Sequence, residues 1–143
     1  MGGHDFARLY TVVGVVLLSV MLTCCSGKEP EAPVDESLRA GGVALECYEA
    51  LYIDNRPEAF LNGRVGARSL SDENRQQLLT LYKQHVMEVN GQHGGVAHID
   101  FMRAEPDTAL NVMQVFLKMT FVDGIQEEIV VPMLQADGKW RME

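Results

Sequence analysis

The first chemistry that this sequence suggests is acid–base work by a histidine beside a carboxylate. His98 and Asp100 are two residues apart in a strand-like stretch, which puts their side chains on one face, about 7 Å apart. A histidine oriented by a carboxylate can act as a general base. The alternate positions, Ile99 and Phe101, are the better candidates for the core. We therefore expect the histidine and the aspartate to lie in solvent.

Three tyrosines and three methionines could line an apolar cavity. The tyrosines lie on or beside apolar helix faces, where a phenol ring usually anchors packing and its hydroxyl finds a hydrogen-bond partner. The methionines fall on the inward positions of an alternating strand pattern, and their flexible side chains adapt to irregular spaces. The set is Tyr48, Tyr52, Tyr82, Met113, Met119 and Met133.

No metal site, cofactor or covalent nucleophile is predicted. His85, His93 and His98 are irregularly spaced, with no helical i, i+4 pair and no Cys-x-x-Cys beside them. A copper site built from methionine and histidine is the alternative, but strand packing explains the methionines. Glycine-rich phosphate loops and nucleophile motifs are also missing from the sequence. Cys47 falls within a helical pattern and is expected to be a buried, unreactive thiol.

Length and composition limit the classes of protein to which the chain can belong. Its 143 residues are enough for one domain with a real core. A formal net charge of −8 argues against binding nucleic acid, whose phosphates require an excess of lysine and arginine. With 47% hydrophobic residues, the chain does not have the composition of a disordered protein.

Residues 9–22 form an apolar run near the N-terminus. As a helix this run would rise about 21 Å, against roughly 30 Å of bilayer hydrocarbon. It is therefore too short for a comfortable membrane span, and its length is typical of a secretory signal.

The residues after this run resemble a bacterial lipobox. In Leu22-Thr23-Cys24-Cys25 a leucine stands three residues before a cysteine, as in segments that are cut before a cysteine that receives lipid. The resemblance implies a lipoprotein signal peptide over residues 1–24 and acylation, including palmitate, at Cys25. Cys24 is the alternative acceptor, and an ordinary signal peptide is the alternative cleavage type. Ser26 resembles the residue that permits sorting to the outer rather than the inner membrane, so we expect a lipid-anchored protein of the bacterial cell envelope.

The helical part of the domain comes first. Residues 25–36 are polar and contain two of the five prolines, which predicts a flexible tether, followed by a domain over residues 37–143. A helix capped by Asp35 or Ser37 is expected to end near Tyr52, and a short helix to end near Gly63. Ser71 is expected to cap a long helix. The predicted buried face of the long helix is Leu78, Leu81, Tyr82, His85, Val86 and Val89.

The period of the pattern changes from 3.6 to 2 after Gly95. A strand over residues 96–104, a turn over residues 105–107, and a strand from Leu110 are predicted. A two-residue loop at Asp123-Gly124 would put polar residues on the core face, so a three-residue loop over residues 122–124 is predicted instead. Pro132 is expected at a sheet edge or a bulge. The loop pairs Met113 with Met133, Val115 with Val131, Leu117 with Ile129, and Met119 with Glu127.

Helices followed by a curved antiparallel sheet make an α+β fold. Their order resembles the nuclear-transport-factor-2-like cone fold, which SnoaL-like proteins share, and within it a group of small bacterial lipoproteins. The residues that carry the resemblance, over about residues 35–143, are Cys47-Tyr48-Glu49-Ala50-Leu51, Asp54, Asp123-Gly124 and Asp137-Gly138-Lys139-Trp140. A cystatin-like packing is the structural alternative.

The resemblance and the absence of a catalytic motif together favour a non-enzymatic module. We expect it to be anchored to the membrane by lipid and to bind a small apolar ligand or an envelope protein. The alternative is a small hydrolase or isomerase of the cone-fold superfamily, which would need at least two polar side chains converging in its cavity.

Overall fold

The computed structural model describes residues 35–143, which form three α-helices followed by a four-stranded antiparallel sheet. This order confirms the α+β class. The predicted signal peptide, both candidate lipidation sites and most of the tether lie outside the described residues. The helices are α1 (Glu36–Tyr52), α2 (Pro57–Asn62) and α3 (Asp72–His93), with a 3₁₀ turn at Ala67–Ser69. The strands, in sheet order, are β1 (Val96–Asp107), β2 (Val112–Phe121), β3 (Gln126–Ala136) and β4 (Lys139–Met142).

The helix ends follow the predicted capping residues. Asp35 is the cap of α1, since its Oδ1 accepts a hydrogen bond of 2.9 Å from the Ser37 amide. The last two residues of the predicted tether therefore belong to the folded domain. Ser71 caps α3 in the same way, accepting from the Asn74 amide at 3.2 Å. Gly94, at φ +78°, ends α3 in the left-handed conformation that favours glycine.

The central hairpin has the predicted register. Met113 lies opposite Met133, Leu117 opposite Ile129, and Met119 opposite Glu127. The Phe121 amide donates to the Ile125 carbonyl at 2.9 Å across the three-residue loop. Gly124 has φ +86°, which a type I turn with a bulge requires at this position. The expected turn is confirmed.

The inner face of the sheet forms the core against α1. Val115, Leu117 and Met133 are fully buried, and Met119 is only 2% exposed. Ile129, the predicted and observed partner of Leu117, is only half-buried. The reason is that α1 lies mainly over β1 and β2 and leaves part of β3 uncovered. Lys118, on the opposite face, is half-buried between the buried Leu117 and Met119, and Gln126 is exposed.

The boundary predicted for β1 is wrong, whereas the expectation that Pro132 lies where the sheet has a local edge is confirmed. β1 continues through Pro106 to Asp107. This is possible because β1 is an edge strand, in which the N–H group that proline lacks is not needed for a hydrogen bond to a neighbouring strand. The turn comes later, where Asp107 Oδ1 accepts from the amides of Ala109 and Leu110, both at 3.1 Å. Pro132 lies in β3, which has neighbours on both sides, but the short β4 pairs with β3 only from Met133 onward.

The predicted buried face of α3 is also partly wrong. Leu79 and Val86 are the residues of α3 that are buried, whereas Leu81 is 57% exposed and His85 is exposed. The helix packs on α2, the end of α1 and the start of β1 rather than across the whole sheet. A narrow stripe is enough for such a contact, so much of the apolar surface of α3 faces solvent.

Candidate functional site

The His98–Asp100 pair lies in solvent on the outer face of β1. His98 Nε2 is 3.5 Å from Asp100 Oδ2, and the two side chains are 57% and 49% exposed. Both residues pair with β2 at positions that face away from the helices. The prediction of a solvent-exposed pair is confirmed, and this pair does not form a catalytic pocket.

The three tyrosines belong to one aromatic row between the helices. Tyr52 stacks on Tyr48 with ring centroids 6.1 Å apart, and Tyr48 meets Phe60 edge-on at 5.3 Å. Phe60 meets Tyr82 edge-on at 5.0 Å, so the row joins all three helices. Edge-on and offset contacts of this kind stabilise packed aromatic clusters. The row therefore links the three helices to one another.

Tyr52 also forms the one polar contact of this row. Its hydroxyl lies 2.8 Å from His85 Nε2. Burial, with smaller contributions from Tyr48 and Glu127, raises the pKa of Tyr52 to about 12. The phenol therefore stays protonated at neutral pH and is a weak acid, which suits a structural hydrogen bond better than proton transfer.

The three methionines fill the core between the sheet and α1. Met133 is fully buried, Met119 is 2% exposed and Met113 is 9% exposed. The Ser37 hydroxyl lies 3.9 Å from the sulfur of Met113 and donates to it. Within residues 35–143, no polar or charged residue is fully buried. The described interior is therefore an apolar packed core at these positions.

Cys47 is a buried thiol in α1, as expected. Burial raises its pKa above the ordinary value, and the neighbouring carboxylate of Glu46 adds to the effect. Its sulfur packs closely against Gly63, where a side chain would collide with it. A protonated, covered thiol is a poor nucleophile.

Among residues 35–143, no three His, Cys, Asp or Glu side chains are grouped so that they could hold a metal ion. In the same part of the chain, none of the helices combines the length and the apolar character needed to cross a membrane.

A cleft opens between α3 and the α1–α2 corner. We call it the helical cleft; its volume is about 970 Å³. One wall is the end of α1, the connection after it and α2. The other wall is a stripe along α3 with helical spacing, formed by Lys83, Val86, Met87 and Asn90. Of the predicted cavity-lining residues, Tyr52 lies here, and Met113 lies in a smaller cleft of about 340 Å³ elsewhere.

The helical cleft combines exposed apolar side chains with polar groups. Ile53 is 45% exposed and Met87 is 71% exposed, on opposite walls. Arg56 and Lys83 supply positive charge, and Arg56 Nη2 is held by Asp54 Oδ2 at 3.0 Å. Asn55 lies in the connection with φ +52°, which non-glycine residues rarely adopt. Such a mixed, concave surface can hold a ligand through apolar contact and directed polar contacts.

The sequence pattern did not single out the α3 wall. Met87 follows the buried Val86, so it lies outside the apolar stripe and was not assigned to any surface. A large apolar residue on the outer side of a predicted helix, one turn after Lys83, is the signal that could have indicated this wall.

Comparison with known proteins supports the fold. No protein-family model and no curated protein sequence matches the chain. Among solved structures it is similar to a Campylobacter jejuni protein provisionally described as an NTF2-like transpeptidase, NTF2 being nuclear transport factor 2. The TM-score is 0.56, with 14% identity, over 71% of this chain and 94% of the other. At this identity the likeness concerns the fold alone: the chain has a nuclear-transport-factor-2-like α+β fold, with helices packed against a curved antiparallel sheet.

Proposed function

We propose that this chain is a lipid-anchored domain of the bacterial cell envelope that binds a partner through the helical cleft. The observation that carries the binding role is the contrast between a filled interior and an open cleft. Leu117 and Met133 are fully buried on the inner face of the sheet, whereas Met87 in the cleft is 71% exposed. A filled core stabilises the fold, and the exposed mixed surface is the part that is free to bind.

The contacts in the described domain favour binding over catalysis. A transpeptidase, the activity attached to the similar structure, needs an activated nucleophile. Cys47 is buried with a raised pKa, and the Ser71 hydroxyl is engaged as a helix cap. His85 is hydrogen-bonded to Tyr52 of the aromatic row, and the high pKa of Tyr52 makes its hydroxyl a weak acid. A hydrolase or isomerase would need a better matched acid–base pair.

The anchor is supported by the residues that precede the domain. An apolar run over residues 9–22 is followed by Leu22-Thr23-Cys24-Cys25, and the folded domain begins at Asp35. Lipidation at Cys25 would leave a short polar tether between the membrane and the domain.

Metabolic labelling with radioactive palmitate tests the anchor. We expect the full chain to be labelled and to sediment with membranes, and Cys25→Ala to lose the label. Cys24→Ala should slow processing but retain the label, and Cys47→Ala, a buried position, should be labelled normally. Labelling that persists in Cys25→Ala and disappears in Cys24→Ala would move the acceptor by one residue. A full chain that takes up no label would contradict the anchor.

A further inference from the structure

We infer that the domain rests on a zwitterionic phospholipid surface with the end of the sheet at which α1 begins. The inference rests on the proposed function, because it takes the lipid anchor from there and names the face that the anchored domain turns to the membrane. We call this end the proximal end. It consists of the start of α1, the β1–β2 loop (residues 108–111) and the β3–β4 turn (residues 137–138).

Side-chain contacts join the parts of the proximal end. Glu36 Oε2, in the first turn of α1, accepts hydrogen bonds from Trp140 Nε1 at 2.9 Å and from Gln135 Nε2 at 3.1 Å. The Ser37 hydroxyl donates to the sulfur of Met113, near the start of β2, at 3.9 Å. The start of α1 is therefore held beside the strand ends that carry the loop and the turn.

The proximal end exposes large apolar side chains around the one tryptophan of the chain. Leu38 in α1 is 60% exposed, and Leu110 in the β1–β2 loop is 66% exposed. Trp140 lines two clefts, one of about 720 Å³ that it shares with Leu38 and one of about 340 Å³ that it shares with residues of the β1–β2 loop. A membrane interface covers exposed leucines, and a tryptophan with an apolar ring and a polar N–H suits the boundary between headgroups and acyl chains.

The opposite end of the sheet, which we call the distal end, exposes apolar side chains too. Val122 and Ile125, in and beside the β2–β3 loop, are 63% and 53% exposed. Strand β2, with 10 residues, separates the two ends by about 33 Å. Exposure alone therefore does not say which end faces the lipid.

The length of the tether decides between the two ends. The steps from Cys25 to Asp35 would span about 34 Å if they were fully extended, and a flexible chain of this length averages roughly 17 Å. The folded domain begins at the proximal end, so an anchor at Cys25 keeps this end close to the lipid. The distal end would reach the lipid only with a fully stretched tether, which a flexible chain rarely adopts.

The charges of the proximal end favour zwitterionic over anionic lipid. Its acidic side chains outnumber the basic ones, Arg39 and Lys139; the acidic ones are Asp35, Glu36, Asp107 and Asp137. An anionic surface would repel this excess of carboxylates, whereas a zwitterionic headgroup presents an ammonium group beside its phosphate. Apolar contact with a zwitterionic surface is therefore the interaction that the proximal end can make.

This orientation holds the helical cleft away from the membrane. α1 has 17 residues and rises about 26 Å from Glu36 to Tyr52. Tyr52 lines the helical cleft, so the cleft lies at the other end of α1 from the lipid. A partner can then bind in the cleft from the aqueous side while the domain stays on the membrane.

Quenching of tryptophan fluorescence by lipid tests the orientation. The full chain, acylated and purified in detergent, is reconstituted into phosphatidylcholine vesicles whose acyl chains carry bromine just below the headgroups. Trp140 is the reporter, because the chain contains one tryptophan. We expect its fluorescence to fall about twofold relative to vesicles without bromine. A reporter at the distal end, Ile125→Trp combined with Trp140→Phe, should keep its fluorescence.

Glutamate substitutions at leucines of similar exposure sharpen the test. Leu38→Glu combined with Leu110→Glu puts charge on the proximal end and should remove most of the quenching. Leu81→Glu, in α3 and 57% exposed, should leave the quenching unchanged. Phosphatidylglycerol in the vesicles should reduce the quenching at low salt, and added salt should restore it. Circular dichroism shows whether each variant keeps its fold.

Other outcomes would overturn the inference. The orientation is wrong if Trp140 is not quenched, if the distal reporter is quenched as strongly, or if Leu81→Glu removes the quenching as well. Quenching that increases with phosphatidylglycerol would overturn the choice of zwitterionic lipid. Palmitate labelling separates these results from a failure of the proposed function. A chain without label removes the anchor and the orientation together, whereas a labelled chain with an unquenched Trp140 refutes the orientation alone.

Discussion

The inner face of the sheet and the outer side of α3 hold leucines in opposite environments. Leu117 in β2 is fully buried, whereas Leu81 in α3 is 57% exposed. α1 lies over β1 and β2, and the inward residues of β2 have β1 on one side and β3 on the other. α3 is supported only along a narrow stripe, so its flanks stay open. The fold thus combines a packed core on the inner face of the sheet with a helical layer whose outer side is exposed.

The largest expected difference comes from making the same truncation in both regions. Leu117→Ala leaves a cavity in the core and should lower the free energy of unfolding by about 2–5 kcal/mol. That is a large part of the roughly 5–15 kcal/mol available to a domain. Leu81→Ala removes an exposed side chain and should change it by about 0.5 kcal/mol or less. Urea unfolding followed by circular dichroism measures both, and similar losses in the two variants would contradict the contrast.

Alanine substitutions at two adjacent glycines in α1 form a matched pair with a smaller expected effect on stability. A methyl group at Gly41 would collide with the ring of Phe101, whereas at Gly42 it would meet open space. We expect Gly41→Ala to destabilise the domain by about 1–3 kcal/mol. Gly42→Ala should stabilise it by up to about 1 kcal/mol, because alanine favours the helix. Thermal unfolding separates the two; a stabilising Gly41→Ala would show that α1 is not pressed against β1.

The smallest effect is expected where the two regions meet. His93 Nδ1 at the end of α3 lies 2.8 Å from Asp123 Oδ2 in the β2–β3 loop, and the His93 ring stacks on Phe121 at 4.3 Å. The hydrogen bond with His93, helped by the Ile125 amide, holds the pKa of Asp123 below its ordinary value of 3.8.

A lowered pKa in the folded state fixes the sign of the pH dependence. The contact stabilises the fold above the ordinary pKa of the aspartate and is lost as the pH falls through the lower folded value. Asp123→Asn keeps an oxygen for the Ile125 amide but removes the charge. The unmodified chain should therefore lose more stability than Asp123→Asn as the pH falls below about 4. Urea unfolding at several pH values measures the free energy of unfolding of both proteins. If it falls equally in the unmodified chain and in Asp123→Asn, this contact contributes nothing.

The two regions also differ in how far the sequence predicts them. In the hairpin, strand alternation and the Asp123-Gly124 turn had to agree, and a three-residue loop satisfied both, so the cross-strand pairs were predicted correctly. In α3, apolar residues occur on more than one side, and periodicity alone admitted a face through Leu81 and His85. Which face is covered depends on where α2 lies, and that is a tertiary contact that no local pattern contains.

The same limit applies to the candidate site. The tyrosines were identified from helical spacing, but the edge-on contacts through Phe60 join residues far apart in the chain. The helical cleft exists because a short α2 turns the chain beside α3 and leaves Ile53 and Met87 facing each other. A site formed by a gap between elements has no sequence motif.

Site-specific photocrosslinking in living cells tests the central claim that the helical cleft is the binding surface. A photoreactive phenylalanine analogue replaces Met87 in the cleft or Met102 on the outer face of the sheet, both exposed in the free domain. We predict discrete light-dependent adducts from position 87 and few from position 102. Equally strong adducts from position 102, or no adducts from position 87, would contradict the claim.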